Sequence, residues 1–189
     1  MTRKSTSDLI TFFEYVLRLK RVNRAGWISK VRISDAESVA DHSFSASAIS
    51  MTLSDTLGLD TERVVKMVIL HDLAESITGD YIPGEVGKNE KVRKENKAMK
   101  AILHYVPRNL RSEYEGIWKE YLSGKTEIAR LVHEVDKLEM ALQARQYRIR
   151  GYSEQMLSSF FNFAKESMKP DNHKIISYIL NALEPRTAD

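Results

Sequence analysis

Four side chains that lie far apart in the sequence have the chemistry of a metal site. His71 and Asp72 are adjacent and close an apolar run. His42 lies upstream of this pair, and Asp136 lies downstream. Two imidazoles and two carboxylates can together make one site with nitrogen and oxygen ligands, and such a set favours Mn²⁺, Co²⁺, Fe²⁺, Zn²⁺ or Mg²⁺. A His-Asp dipeptide alone is a weak signal, because a histidine at a helix end can equally pair with a nearby carboxylate.

The pair His71-Asp72 stands at the end of a predicted helix. The apolar run at residues 64–70 predicts a buried helix that is capped near Asp60 or Thr61. Burial of a lone charge among apolar side chains is costly unless the charge is paired or bound to a metal. The pair therefore needs partners from other parts of the chain.

Other helices must supply those partners. Residues 41–51, which include His42, are small and apolar, and residues 128–140, which include Asp136, repeat apolar side chains at helical spacing. Helical periodicity dominates from residue 9 to residue 183, so we expect an all-α fold. Further helices are predicted to begin near Lys88, Pro107, Lys125, Tyr152 and Pro170.

Two more acids follow the His-Asp pair. Glu75 comes four residues after His71, a spacing that predicts a shared helix face. Gly79 and Asp80 mark a turn beyond the end of that helix. The next residues, 81–87, contain one proline and two glycines, which favours a loop over the site.

Three segments together resemble a known family. They are the basic segment 18–24, the segment Glu37-Ser38-Val39-Ala40-Asp41-His42-Ser43, and the segment 71–80, which begins His71-Asp72-Leu73-Ala74-Glu75. This combination resembles the HD-domain hydrolases, and within that superfamily it is most similar to the 5′-deoxynucleotidases. The resemblance runs from about Phe13 through the helix that contains Asp136 and implies an HD-domain helical bundle around a single divalent-metal site.

The resemblance also implies roles for individual residues. It assigns the metal to His42, His71, Asp72 and Asp136. It assigns activation of water or proton relay to Glu75, a second active-site acid near the sugar to Asp80, and contact with the nucleotide to Arg24. An arginine suits this last role because its planar fork can donate two hydrogen bonds to a phosphate.

One position departs from the bacterial members of the family. Those proteins have a tryptophan directly after the arginine, whereas this sequence has Ala25, followed by Gly26 and Trp27. The eukaryotic members resemble this arrangement more closely. Trp27 is therefore a candidate wall of the substrate pocket, and packing in the core is at least as good an interpretation.

The function implied by the resemblance is metal-dependent removal of the 5′-phosphate from deoxyribonucleoside monophosphates. The expected partners are a small nucleotide substrate and a second copy of the chain in a homodimer. Two alternatives remain at this stage. One is another nucleotide phosphohydrolase that cleaves a triphosphate, a pyrophosphate or a cyclic phosphodiester. The other is a non-catalytic helical module that binds nucleic acid or protein.

Composition favours a single domain over residues 1–189, with a core at about 9–167 and a C-terminal helix at about 171–183. With 189 residues, 42% of them hydrophobic, the chain can bury one substantial core. It has no cysteine, which excludes disulfides, a cysteine nucleophile and zinc-thiolate sites. The N-terminus is polar and no long apolar run follows, so we expect a cytoplasmic enzyme without a signal peptide or membrane span.

Several other polar residues have weaker claims to a function. The charged run 88–97 interleaves acids with bases and predicts a solvated amphipathic helix, and a net charge of only +3 makes nucleic acid an unlikely partner. Glu139, about one turn beyond Asp136, can be either an acid that supports the metal ligands or surface polarity. His133 is placed near the ligands or on the surface, and His104 and His173 are expected to be ordinary histidines without acidic partners.

Overall fold

The computed structural model describes residues 3–82, 84–169 and 173–183, and its helices confirm the all-α prediction. Within these ranges there is no strand, and an isolated bridge pairs Asn23 with Ser38. The nine helices of the described residues are α1 Arg3–Arg18, α2 Val39–Leu57, α3 Thr61–His71, α4 Glu75–Thr78, α5 Lys88–Leu103, α6 Arg108–Ser123, α7 Glu127–Ile149, α8 Glu154–Glu166 and α9 Lys174–Ala182.

Local capping fixes the two helices that begin the site. The side chain of Asp60 accepts a hydrogen bond from the backbone N–H of Arg63 at 3.0 Å, so α3 begins where the sequence predicts. Ser38 and Asp41 form a reciprocal capping box at the start of α2. This box places His42 in the first turn of α2, with its side chain directed into the interior.

The later helices begin close to their predicted starts. Helices α5, α6, α7 and α8 all start within two residues of the positions predicted from the sequence. Pro170 lies outside the described residues, and the final helix is described from Lys174. The division of the chain into one domain with a separate C-terminal helix stays a prediction.

Helix α7 is the central element of the packing. It contacts α2, α3, α6, α8 and α9, and its apolar residues lie in the main core together with those of α2 and α3. The buried faces of α2, α3 and α7 therefore hold the segments that contain His42, His71 and Asp136 at fixed distances. No helix in the described part of the chain is both long and apolar enough to cross a membrane.

The segment from Asn23 to Asp35, between α1 and α2, contains ordered structure of its own. Residues Trp27–Val31 form one π-helical turn, which ends at Arg32 in the left-handed conformation, φ 61°. Trp27 and Val31 are buried in a second, smaller apolar cluster with residues of α7 and α8. The sequence does not predict this turn, because π-helical turns have no simple hydrophobic period.

Candidate active site

The fold brings together all four residues predicted as metal ligands. His42 and His71 are buried, and the side chains of Asp72 and Asp136 are 13% and 14% exposed. His42 Nε2 lies 3.7 Å from Oδ2 of Asp72 and 3.3 Å from Oδ1 of Asp136. His71 Nε2 lies 3.1 Å from Oδ2 of Asp72. Helices α2, α3 and α7 thus contribute to one polar cluster inside an otherwise apolar core.

Both imidazoles present a nitrogen without a hydrogen-bond partner to this cluster. His71 Nδ1 lies 2.5 Å from the carbonyl oxygen of Val68, so it must donate and the proton is fixed on Nδ1. His42 Nδ1 lies 2.5 Å from Oε2 of Glu139. The Nε2 atoms of both rings are buried, and although carboxylate oxygens lie within 3.3 Å, neither atom makes a hydrogen bond of suitable geometry with them. Buried polar atoms are rarely left unpaired, and two imidazole nitrogens beside two carboxylates fit a divalent metal.

The two carboxylates remain ionised in spite of their burial. Burial raises the pKa of Asp72, but nearby His71 and Arg24 outweigh it and hold that pKa below the ordinary value. Burial likewise raises the pKa of Asp136, but the ammonium of Lys137 and His42 hold it well below normal. The carboxylate oxygens of Asp72 and Asp136 are therefore available as anionic ligands at neutral pH.

Arg24 lies directly against the predicted metal ligands. Its guanidinium is 3.3 Å from Oδ2 of Asp72 and 3.7 Å from Oδ1 of Asp136. Burial lowers the pKa of Arg24, but these two carboxylates outweigh burial and raise that pKa above its ordinary value. The guanidinium therefore stays charged. A hydrogen bond from the backbone N–H of Arg24 to the carbonyl of Glu37 at 3.0 Å fixes its position. A guanidinium here places a fixed positive charge beside the two predicted carboxylate ligands.

Glu75 lines the same cavity, but the prediction that it shares a helix face with His71 is wrong. Helix α3 ends at His71, and a turn through Asp72 precedes the short helix α4, which begins at Glu75. The two residues therefore do not share one helix face. Glu75 is nevertheless buried, its Oε2 atom has no partner, and its pKa is raised well above normal by burial and by the charge of Asp72.

Asp80 lies just beyond Gly79, which ends α4 with φ 73° as the predicted turn requires. Its Oδ2 atom accepts a hydrogen bond from the backbone N–H of Ala25 at 2.8 Å, which ties this turn to the segment of Arg24. Burial raises the pKa of Asp80, against the lowering effect of Arg24. The turn after α4 and the segment that contains Arg24 are thus joined by this one carboxylate.

Trp27 is positioned more by the core than by the cavity. Only 2% of its surface is exposed, its ring stacks on Phe160 with centroids 4.0 Å apart, and its Nε1–H donates to Oε1 of Glu37 at 2.8 Å. It nonetheless lines one edge of the cavity beside Arg24. Its single polar hydrogen is already used, so the predicted contact with substrate is restricted to the ring edge. That contact stays a prediction.

Most of the site residues described above line one open cavity of about 670 Å³, whereas the fully buried His42 does not. That volume is within the range of small-molecule sites in proteins. The loop predicted over the site is present in the described residues 81–82 and 84–87, while Pro83 lies outside them. Arg24, His71, Asp72, Glu75, Asp80 and Asp136 all contribute to the cavity wall.

Several site residues were missed or misjudged from the sequence. Glu139 is 3% exposed and bonds to His42, so the surface interpretation is wrong, and its spacing of three from Asp136 was the available signal. Lys91 lines the cavity although the run 88–97 was interpreted as solvated. His173 has acidic partners after all, because Glu134 accepts hydrogen bonds from its backbone N–H and its Nδ1 at 3.1 and 2.9 Å.

His133 does not join the predicted metal ligands. Its Nε2 atom donates to the carbonyl of Tyr121 at 2.9 Å, and its ring stacks on that tyrosine with centroids 4.4 Å apart. Burial lowers its pKa. His133 therefore lines the cavity as a neutral histidine whose Nε2 proton is engaged by Tyr121, and it supports the fold around the site.

Comparisons with known proteins agree with this geometry. The human protein named 5′-deoxynucleotidase HDDC2 is 34% identical over 178 residues, which cover 94% of this chain and 85% of that protein. The protein from Schizosaccharomyces pombe named 5′-deoxynucleotidase hdd1 is 36% identical over 165 residues, 85% of this chain and 82% of its own length. A conserved hypothetical protein from Pyrococcus furiosus has a similar structure, with a TM-score of 0.73, 29% identity, and coverage of 92% of this chain and 98% of its own.

A model of the HD domain family matches residues 16–177. The matched range includes α2, α3 and α7, which contribute the histidines and aspartates of the cluster. The extent of the match and the identity with these relatives establish that this chain belongs to the HD domain family.

Proposed function

We propose that this protein is a metal-dependent phosphomonoesterase that hydrolyses deoxyribonucleoside 5′-monophosphates to deoxyribonucleosides and phosphate. The observation that supports this most is the pair of unpartnered Nε2 atoms of His42 and His71 beside Asp72 and Asp136. Of these four residues, His71, Asp72 and Asp136 line one open cavity. The relatives named 5′-deoxynucleotidase over most of this chain support the choice of substrate.

The metal ligands in this proposal are His42 Nε2, His71 Nε2 and the carboxylates of Asp72 and Asp136. One divalent ion per chain is expected, and Mn²⁺, Co²⁺, Fe²⁺, Zn²⁺ and Mg²⁺ all suit nitrogen and oxygen donors. When bound, such an ion supplies charge neutralisation at the phosphoryl group and acidifies the attacking water.

Glu75 is assigned to the proton of the attacking water. Its Oε2 atom is buried without a partner, and burial together with the charge of Asp72 raises its pKa, which makes this carboxylate a stronger base. As the oxygen of water bonds to phosphorus, the proton passes to Oε2 of Glu75 and the bond from phosphorus to the 5′-oxygen breaks. The leaving 5′-oxygen takes up a proton from solvent and the deoxyribonucleoside is released, while Glu75 returns its proton to solvent after phosphate leaves.

Arg24 and Asp80 are assigned to the substrate. Arg24 can donate two hydrogen bonds to the phosphate, and its position against Asp72 and Asp136 keeps it beside the metal ligands. Asp80 is assigned to the sugar side on the family resemblance, and the hydrogen bond that it accepts from the backbone N–H of Ala25 keeps it next to that arginine. Trp27 is the proposed apolar wall nearby.

The finer properties expected from the sequence belong to the same proposal. We propose a small nucleotide as the binding partner, a homodimer as the assembly and the cytoplasm as the compartment. Light scattering on the purified protein tests the dimer, and fractionation of cells that express the tagged protein tests the compartment.

The experiment that tests the function measures phosphate release from a panel of 5′-deoxyribonucleotides, 5′-ribonucleotides, dATP and a cyclic nucleotide. Each is assayed with Mn²⁺, Co²⁺, Mg²⁺ or a chelator. We expect metal-dependent release that favours the deoxyribonucleoside monophosphates. Cleavage of only dATP or the cyclic nucleotide would overturn the proposed substrate, and no release with any metal would overturn the reaction.

The matched variant is Asp72→Ala. Its lost carboxylate is expected to abolish binding of Mn²⁺ and phosphate release together, because this oxygen lies beside both imidazoles. Full activity of the metal-free variant would contradict the proposed mechanism.

A further inference from the structure

Another basic side chain reaches the cavity from α5, a helix without an assigned role in the proposed reaction. Lys91 of α5 is half-buried and lines the cavity together with Glu75 and Asp80. Its Nζ atom lies 4.0 Å from Oε1 of Glu75 and 3.4 Å from Oε1 of Glu95. The amine is therefore next to the carboxylate assigned to the attacking water.

The register of α5 directs this lysine into the cavity. Lys88, Lys91, Val92 and Glu95 all line the cavity, and they follow the spacing of one helix face. Lys97, six residues after Lys91, is exposed and does not line it. The helix is fixed by its buried residues, which include Met99 and Ile102, so the lysine is presented by a rigid element.

The charges around the site are unevenly distributed. Arg24 lies against Asp72 and Asp136, and Lys137 donates to Oδ2 of Asp136 at 2.7 Å. These two cations therefore stand on the side of the metal ligands. The charge of Arg24 also acts on Glu75, but the ion-pair partner of Glu75 among the described residues is Lys91.

A phosphate monoester makes this unevenness important. Such a group has a charge of about −1.5 to −2 at pH 7. Buried carboxylates close to it raise the cost of its entry unless a cation faces it from the same direction. Burial lowers the pKa of Lys91, but the carboxylates of Glu95 and Glu75 outweigh this and raise it above its ordinary value, so the amine is a cation at neutral pH.

We propose that the Nζ of Lys91 donates a hydrogen bond to a non-bridging phosphoryl oxygen of the substrate, as a second cation beside Arg24. A lysine ammonium has three donors on a flexible stem, so it can keep its contact with Glu75 or Glu95 while it binds the phosphate. This inference rests on the proposed function, because it places the phosphate of a nucleotide monoester in this cavity.

The test compares Lys91→Met with Lys97→Met, a matched lysine of the same helix outside the cavity. Binding of inorganic phosphate to the Mn²⁺-loaded protein is measured by calorimetry, and kcat and KM are measured with dAMP. We expect Lys91→Met to weaken phosphate binding and to lower kcat/KM by about 10- to 100-fold, the size of a lost charge-assisted hydrogen bond. Lys97→Met is expected to match the unchanged protein, and Lys91→Arg to recover part of the loss.

Two further readouts separate substrate contact from a structural role. The affinity for Mn²⁺ and the Tm of Lys91→Met should stay at the values of the unchanged protein, and Lys91→Gln replaces this variant if it does not fold. Phosphate binding by Lys91→Met equal to that of the unchanged protein would overturn the inference, as would equal losses in Lys97→Met.

The outcomes also separate this inference from the proposed function. Hydrolysis of dAMP together with phosphate binding that does not depend on Lys91 would refute only the inference. Phosphate binding that depends on Lys91, without hydrolysis of any deoxyribonucleotide, would refute the proposed function and leave the phosphate contact standing. Absence of phosphate binding by the unchanged Mn²⁺-loaded protein would overturn the inference directly.

Discussion

Glu139 is the residue whose substitution tests most directly how this site is held for a metal. It is 3% exposed, and its Oε2 atom lies 2.5 Å from Nδ1 of the fully buried His42. A carboxylate at this position keeps the proton on Nδ1 and leaves Nε2 free to face Asp136. Glu139→Gln keeps the shape and an acceptor oxygen but removes the negative charge.

The expected size of the effect follows from the kind of hydrogen bond that is lost. A hydrogen bond to a charged group contributes about 1.5–3 kcal/mol, against about 0.5–1.5 kcal/mol for a neutral one. The difference of roughly 1–1.5 kcal/mol corresponds to a factor of about ten in an equilibrium constant. We therefore expect Glu139→Gln to bind Mn²⁺ about tenfold more weakly, within the roughly 10–100-fold range seen when residues behind metal ligands are substituted.

The assay is calorimetric titration of the metal-free protein with Mn²⁺, with Glu134→Gln as the matched control. Glu134 belongs to the same helix and is 4% exposed, but its carboxylate accepts hydrogen bonds from His173. This control is expected to lower the Tm without a change in Mn²⁺ affinity. Unchanged affinity in Glu139→Gln, or an equal loss in Glu134→Gln, would refute the reasoning.

Three more substitutions give separate predictions. Glu75→Gln is expected to keep the Mn²⁺ affinity and to lower kcat by about 10²–10⁴-fold, because it removes only the proton acceptor. A loss of metal binding measured by calorimetry would contradict this prediction. Trp27→Ala should lower the free energy of unfolding in urea by about 3–5 kcal/mol, because the ring is buried against Phe160; a loss below 1 kcal/mol would count against its core role. Burial raises the pKa of Glu37 from 4.5 to about 7, so the folded protein holds the proton more tightly than the unfolded chain. The stability of the metal-free protein should therefore fall by about 1–3 kcal/mol as the pH rises from about 4.5 to about 7. Glu37→Gln should flatten that decline in chemical denaturation measured across this pH range, and an unchanged slope would contradict the assignment.

The helices were predictable because their signals are local. The cap at Asp60, the apolar run before His71 and the apolar stripe around Asp136 each lie within one helix, so a short window of sequence contains the whole signal. The convergence of the histidines and aspartates was predicted through the family resemblance. Their spacing along the chain contains no information about distance between helices.

The remaining site residues depend on how the helices pack, which periodicity does not determine. Glu75 was expected on the same helix face as His71, but α3 ends at that histidine and a turn intervenes. Lys91 lies in a run of mixed charge that would be solvated on an isolated helix, and it lines the cavity only because α5 packs against α4 and α6. Burial of such residues is a property of the tertiary structure.

Two carboxylates on a single turn of α7 lie beside the two ring nitrogens of His42. Asp136 Oδ1 lies 3.3 Å from Nε2 of His42, and Glu139, three residues later on the same helix face, lies 2.5 Å from Nδ1. Between them, Leu138 is buried in the main core and anchors this turn against its neighbours. The ring of His42 therefore cannot rotate or change its hydrogen bonds unless α7 moves relative to α2. The spacing of these two acids joins the stability of the helix packing to the orientation of the predicted metal ligand.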